Sequence, residues 1–87
     1  MDAVVDIEQK VMGVIAEVLR RDAERINPRA SFEELGFDSM DHFELVIKVE
    51  DIFLIEISDD EAERLLSIED VVDLVGRKGA RPTQVMY

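Results

Sequence analysis

Gly36-Phe37-Asp38 followed by Ser39-Met40-Asp41-His42-Phe43-Glu44-Leu45-Val46-Ile47-Lys48-Val49-Glu50-Asp51-Ile52-Phe53 decides how this chain is read. With Ser39 at zero and ~100° per residue, Leu45, Val46, Val49, Ile52 and Phe53 fall between about 220° and 340°, one apolar arc that faces a core. Met40, Phe43 and Ile47 fall apart from it, between about 40° and 100°, bordered by Glu44 and Asp51 on one side and Glu50 on the other. The stretch therefore predicts a helix from Ser39 to Phe53 with two apolar faces. The second face is either buried in a larger core or is a docking stripe whose rim of acids steers a partner. Asp38 is the natural cap, which places Ser39 at the first helical position with its hydroxyl outward. Gly36 suits the sharp turn that precedes it.

Helical spacing continues on both sides. Val4, Ile7, Val11, Val14, Ile15, Val18 and Leu19, behind a capping Asp2, predict a first helix of about four to five turns, slightly weakened by Gly13. From Arg21 to Phe37 the period is lost and Asn27-Pro28 breaks any helix. Ile26, Phe32, Leu35 and Phe37 are scattered anchors of a long pinned loop, and ordered loops of that length tend to be functional. Ser58-Asp59-Asp60-Glu61 and Ser67-Ile68-Glu69-Asp70 have the capping-box spacing. They start a short third helix near residues 59–65 and a fourth in which Ile68, Val71, Val72 and Val75 share a face ending near Gly76. The expected fold is all-α: a small four-helix bundle with a long loop between helices 1 and 2 and a short third helix. It should occupy residues 1–78, followed by a flexible tail over 79–87 that contains Arg81-Pro82.

Composition narrows the function. A chain of 87 residues holds one domain, with no room for separate catalytic and cofactor domains. Cysteine is absent, which excludes disulfides, thiolate metal sites and thiol catalysis and suits a reducing compartment. The net charge of −11 opposes nucleic acid and anionic lipid, so partners should be basic proteins. Segment by segment the charge is −1 over residues 1–32, −13 over 33–73 and +3 over 74–87. No apolar run approaches the ~18 residues of a membrane helix, and Met1-Asp2-Ala3 does not resemble a signal peptide. A cytoplasmic monomer without membrane insertion is expected.

Catalytic patterns are weak. His42 is the single histidine, three residues from Ser39 with no third group to orient it, and a partly buried, hydrogen-bonded role near the helix start suits it better than that of a base. No glycine-rich phosphate loop or nucleophile elbow occurs. The acids from Asp59 to Glu63 lack the spacing of a calcium loop, so no metal site is expected. The four serines are more telling. Ser31, followed by Glu34, joins Ser58 and Ser67 in matching the capping pattern, whereas Ser39 is followed at the third position by His42 and preceded by a better cap. Ser39 is left with an outward hydroxyl, and a phosphate esterified there would meet the free amides and positive dipole end of the helix.

Leu35-Gly36-Phe37-Asp38-Ser39-Met40 resembles the Leu-Gly-x-Asp-Ser-Leu signature of the acyl carrier protein family. Ser31-Phe32, Glu44-Leu45-Val46 and Glu56-Ile57-Ser58-Asp59-Asp60-Glu61-Ala62-Glu63 extend the resemblance to about residues 4–77. It implies a discrete, non-catalytic carrier whose Ser39 receives phosphopantetheine from coenzyme A through a phosphopantetheinyl transferase. The arm's thiol then holds acyl groups as thioesters and passes them between loading, acyl-transfer and synthase enzymes with basic surfaces. By the same resemblance Asp38, Met40, Asp41, Phe43, Glu44, Ile47 and Asp51 dock those partners, and Leu45, Val49, Ile57, Ala62, Leu65, Val71 and Leu74 line an acyl pocket. A plain core role suits those seven equally well. Met40 stands where Leu is usual, Phe37 where a small residue is usual, and Leu54 and Ile55 where polar residues are usual. The segment from Ser31 to Gly36 is one residue shorter than in common fatty-acid carriers. These departures favour a specialised fatty-acid or polyketide-type carrier. An aminoacyl carrier of peptide-synthetase or D-alanyl type, and an acidic helical interaction module without a prosthetic group, are the alternatives.

Overall fold

In a computed structural model of the chain, residues 3–79 are described, with side chains from residue 6 onward. Asp2 as a cap, the side chain of Val4 and all of the expected tail but Gly79 lie outside the described residues. The described part is helical: α1 over Ala3–Leu19, α2 over Phe32–Leu35, α3 over Ser39–Phe53, α4 over Asp59–Glu63 and α5 over Ile68–Arg77, with one 3₁₀ turn at Ala23–Arg25.

The core is aliphatic, as a composition poor in aromatics requires. Val11, Val14, Ile15 and Val18 of α1 meet Leu45, Val46 and Val49 of α3 and Ile68, Val71, Leu74 and Val75 of α5, so α1 is the helix against which the other two pack. The long connection from α1 to α3 is tied down by the burial of Ile26, Ala30, Phe32 and Leu35. Two outcomes differ from the sequence reading. The connection contains α2, a single turn started by the Ser31 capping box, in which Ser31 Oγ accepts from the Glu34 amide (3.0 Å) and Glu34 returns a carboxylate to the Ser31 amide (2.9 Å). Ile52, expected on the core arc, is 47% exposed: at about 220° it lies at the edge of that arc, whereas Phe53, the next residue at about 320°, packs against the core.

The starts of α2, α3, α4 and α5 are each satisfied by a side chain of the residue before the helix. Ser58 and Glu61 form a reciprocal box at α4 (3.1 and 2.9 Å). Ser67 accepts from the Asp70 amide at α5 (3.2 Å), but Asp70 reaches past the cap to the Leu66 amide (2.9 Å), so this box is shifted by one residue. The Ser58 amide, followed by Lys78 Nζ at 2.9 Å, holds the Glu61 carboxyl below the usual carboxylate range.

Gly36 ends α2 in the left-handed region (φ 84°), donating its amide to the Glu33 and Phe32 carbonyls, and so turns the chain into Asp38 and α3. A Cβ there would meet no neighbour within 4 Å, so the cost of Gly36→Ala is that of the backbone alone, roughly 1–2 kcal/mol. Thermal unfolding should show Tm lowered by roughly 4–8 °C per kcal/mol lost. A variant as stable as the parent would mean that the turn does not hold this conformation in solution.

Candidate functional site

Ser39 is exposed and is the first residue of α3, because Asp38 has taken the cap: its carboxylate accepts from the Asp41 amide at 2.8 Å. Asp41 answers with its own carboxylate to the Asp38 amide at 3.1 Å. The hydroxyl of Ser39 is thus free of the structural duty that occupies the other serines, and it sits at the positive end of a fifteen-residue helix. Asp38 and Asp41, read from the sequence as docking acids, act first as the cap that positions it. The second apolar arc of α3 is not buried. Met40 is 71%, Phe43 61% and Ile47 47% exposed, and Glu44 and Asp51 are exposed beside them. Glu44 shares Lys48 with Glu17 (4.0 and 3.5 Å), pairs that contribute little energetically at the surface.

His42 is half-buried and its Nε2 lies 3.0 Å from the Leu65 carbonyl oxygen, the bonded structural role expected of it. Its ring also stands edge-on to Phe32, centroids 5.8 Å apart. Ser39 lines two clefts among the described residues. One, of about 450 Å³, is lined by Phe32, Phe37, Ser39, His42, Leu65 and Leu66, with Glu33, Asp38 and Glu63 among the residues around it. The other, of about 420 Å³, lies between α3 and α4, where Ser39, Phe43, Val46 and Ile47 face Ile57 and Ala62. No group of acidic or histidine side chains with metal-binding geometry occurs among the described residues. No described helix is long and apolar enough to cross a membrane.

The sequence pattern of the phosphopantetheine attachment site family matches residues 9–75. Acyl carrier protein from Thermosynechococcus vestitus is 42% identical over 76 residues, covering 86% of this chain and 94% of that protein. Acyl carrier protein from Nitratidesulfovibrio vulgaris is 42% identical over 73 residues, covering 83% and 96%. The chain belongs to the acyl carrier protein family. The crystal structure of an acyl carrier protein from Thermotoga maritima has the same fold, with a TM-score of 0.74 and 32% identity over 86% of this chain and 88% of that one. Acyl carrier proteins are carriers rather than enzymes, phosphopantetheine is the group they bear, and synthases and transferases are their general partners.

Within this acyl carrier protein the seven residues expected at an acyl pocket separate. Leu45, Val49, Val71 and Leu74 are packed in the core and line neither cleft. Ile57 and the half-buried Ala62 wall the α3–α4 cleft, and Leu65 walls the other. Leu66, 66% exposed at the rim of that other cleft, escaped the sequence reading. It precedes Ser67 in a segment without helical period, and only its distance in space from Ser39, not its distance in sequence, marks it.

Proposed function

We propose that this acyl carrier protein carries acyl intermediates as thioesters on a phosphopantetheine arm esterified to Ser39, in a specialised fatty-acid or polyketide-type pathway. The observation that carries the reading is the division of labour among the serines. The hydroxyls of Ser31, Ser58 and Ser67 each accept a cap hydrogen bond of 3.0–3.2 Å, while Ser39 stands exposed after a cap made by another residue. An exposed primary hydroxyl at a helix start is where a phosphodiester fits best, since the nearby amides and dipole favour its charge. Attachment makes the bond from Ser39 Oγ to phosphorus and breaks the pyrophosphate bond of coenzyme A. The nucleotide leaves with the electron pair, and the hydroxyl proton passes to the transferase. The arm supplies the thiol that the sequence lacks, and a reducing, cytoplasmic setting keeps that thiol free.

Met40, Phe43 and Ile47 give the partner an apolar stripe next to Ser39, and Asp38, Asp41, Glu44 and Asp51 supply the field that attracts its basic surface. Leu45, Val49, Val71 and Leu74 serve as core, and an acyl chain that shelters in the protein would meet Ile57, Ala62 or Leu65 first. The specialised pathway is supported by apolar surface away from Ser39. Leu54 caps α3 in the left-handed region (φ 55°) with 87% of its surface exposed, and Ile52 is exposed nearby in sequence. Offering the holo protein acyl, malonyl and aminoacyl donors with their loading enzymes sorts the cargo: acyl or malonyl thioesters should form, and exclusive aminoacyl loading would overturn this reading.

Glu44→Lys with Asp51→Lys should slow attachment of the arm at least about tenfold at low salt, where the screening length exceeds ~10 Å. The deficit should shrink as salt rises. Rates equal to the parent's at every ionic strength would remove steering from the account.

A further inference from the structure

We propose that at rest the cleft between Phe37 and Leu66 holds the part of the phosphopantetheine arm nearest the phosphate, the segment with two geminal methyls and a hydroxyl. The docking stripe is then left uncovered. The inference rests on Ser39 bearing the arm, since Ser39 forms part of the cleft's rim. Its walls are prepared. Phe37 stacks on Phe32 with ring centroids 4.8 Å apart, and its amide donates to the Phe32 carbonyl at 3.0 Å. On the opposite wall the Leu65–Leu66 backbone is fixed from three directions. His42 Nε2 lies 3.0 Å from the Leu65 carbonyl oxygen, the Phe32 amide donates to the Leu66 carbonyl at 2.9 Å, and the Leu66 amide donates to Asp70 at 2.9 Å. A leucine side chain 66% exposed on so well-anchored a backbone is a preorganised apolar surface, most of it open to a ligand.

The occupant follows from the chemistry of the rim. Glu33, Asp38 and Glu63 are acceptors only, which suits a neutral ligand that offers hydroxyl and amide hydrogens and repels a free anion. A tether at the rim fixes the effective concentration in the millimolar range, so a contact with a Kd of about 1 mM is enough for half-occupancy. The α3–α4 cleft is the poorer seat. Glu50 of α3, one of its lining residues, accepts from the Ile57 amide at 2.8 Å and brings a carboxylate to it, and its Phe43 and Ile47 wall is the docking stripe itself. An arm lodged there would compete with each partner, whereas one lodged against Phe37 and Leu66 leaves Met40, Phe43 and Ile47 available.

Nuclear Overhauser contacts in the holo protein test this, after intact mass has established that one arm is present. The arm's geminal methyls should show contacts to the Phe37 ring and the Leu66 methyls, and resonances of Phe32, Phe37 and Leu66 should shift between apo and holo forms. Leu66→Ser should abolish those contacts while circular dichroism and the extent of loading stay unchanged, because that side chain is exposed. Contacts to Ile57 and Ala62 instead, or an arm without any contact to the protein, would overturn the resting cleft. Absence of the added mass would instead overturn attachment at Ser39, and it is seen before any contact is measured.

Discussion

Ser39→Ala should fold like the parent and gain no prosthetic group when incubated with a phosphopantetheinyl transferase and coenzyme A. The parent should shift completely by the mass of one arm. The expected loss is total because no other serine offers an equivalent oxygen: those of Ser31, Ser58 and Ser67 are engaged in caps. Stability should change by no more than about 0.5 kcal/mol, since an exposed hydroxyl outside a cap is removed and alanine is the better helix former. Alanine at Ser31, Ser58 or Ser67 should do the reverse, costing about 0.5–2 kcal/mol each through a lost cap while loading still occurs. Intact mass and circular dichroism on the four variants separate the two roles. An arm on the Ser39→Ala protein would show that the exposed hydroxyl is not the acceptor.

Leu45→Ala should be the most damaging substitution among the residues first assigned to an acyl pocket. Leu45 has no exposed surface, and it lies on the buried face of the same helix that begins with Ser39. Truncating a packed leucine costs about 2–5 kcal/mol, out of a stability of roughly 5–15 kcal/mol that a small domain approaches only from its lower end. Tm should fall by roughly 8–40 °C. The same change at a residue beside spare room costs less, because the surroundings were never in full contact. A loss under about 1 kcal/mol, measured by denaturant titration, would therefore mean that α3 has a cavity behind it and that the pocket reading of Leu45 is the better one.

Much of this arrangement is local, and local chemistry is legible in sequence. A serine three residues before an acid at Ser31 and Ser58 reports a cap because the bonds that make it span four residues. Asp38 outcompeting Ser39 for the cap of α3 is readable for the same reason, and with it the outward hydroxyl. The spacing of Val11, Val14, Ile15 and Val18 likewise fixes a face before any partner is known. What escaped depends on contacts between distant segments. Whether Met40, Phe43 and Ile47 are covered depends on what else packs against α3, and the helical wheel left both outcomes open. Ile52 falls at the edge of the core arc of that wheel and is exposed, while Phe53, the next residue and nearer the arc's centre, packs against the core, so the width of the buried arc is set by packing that the wheel does not show. The turn at Phe32–Leu35 was carried by a cap pattern that was seen, yet the absence of a longer period concealed the helix. Leu66 became visible only when its backbone was found tied to Phe32 and Asp70 next to the rim of Ser39.

The most direct measurement is fragmentation mass spectrometry of the intact wild-type protein after incubation with coenzyme A and a phosphopantetheinyl transferase, reading the residue that bears the added mass. A single phosphopantetheine should be located on Ser39, with Ser31, Ser58 and Ser67 unmodified. An arm on one of those capping serines, or a protein that stays at its original mass, would contradict attachment at Ser39.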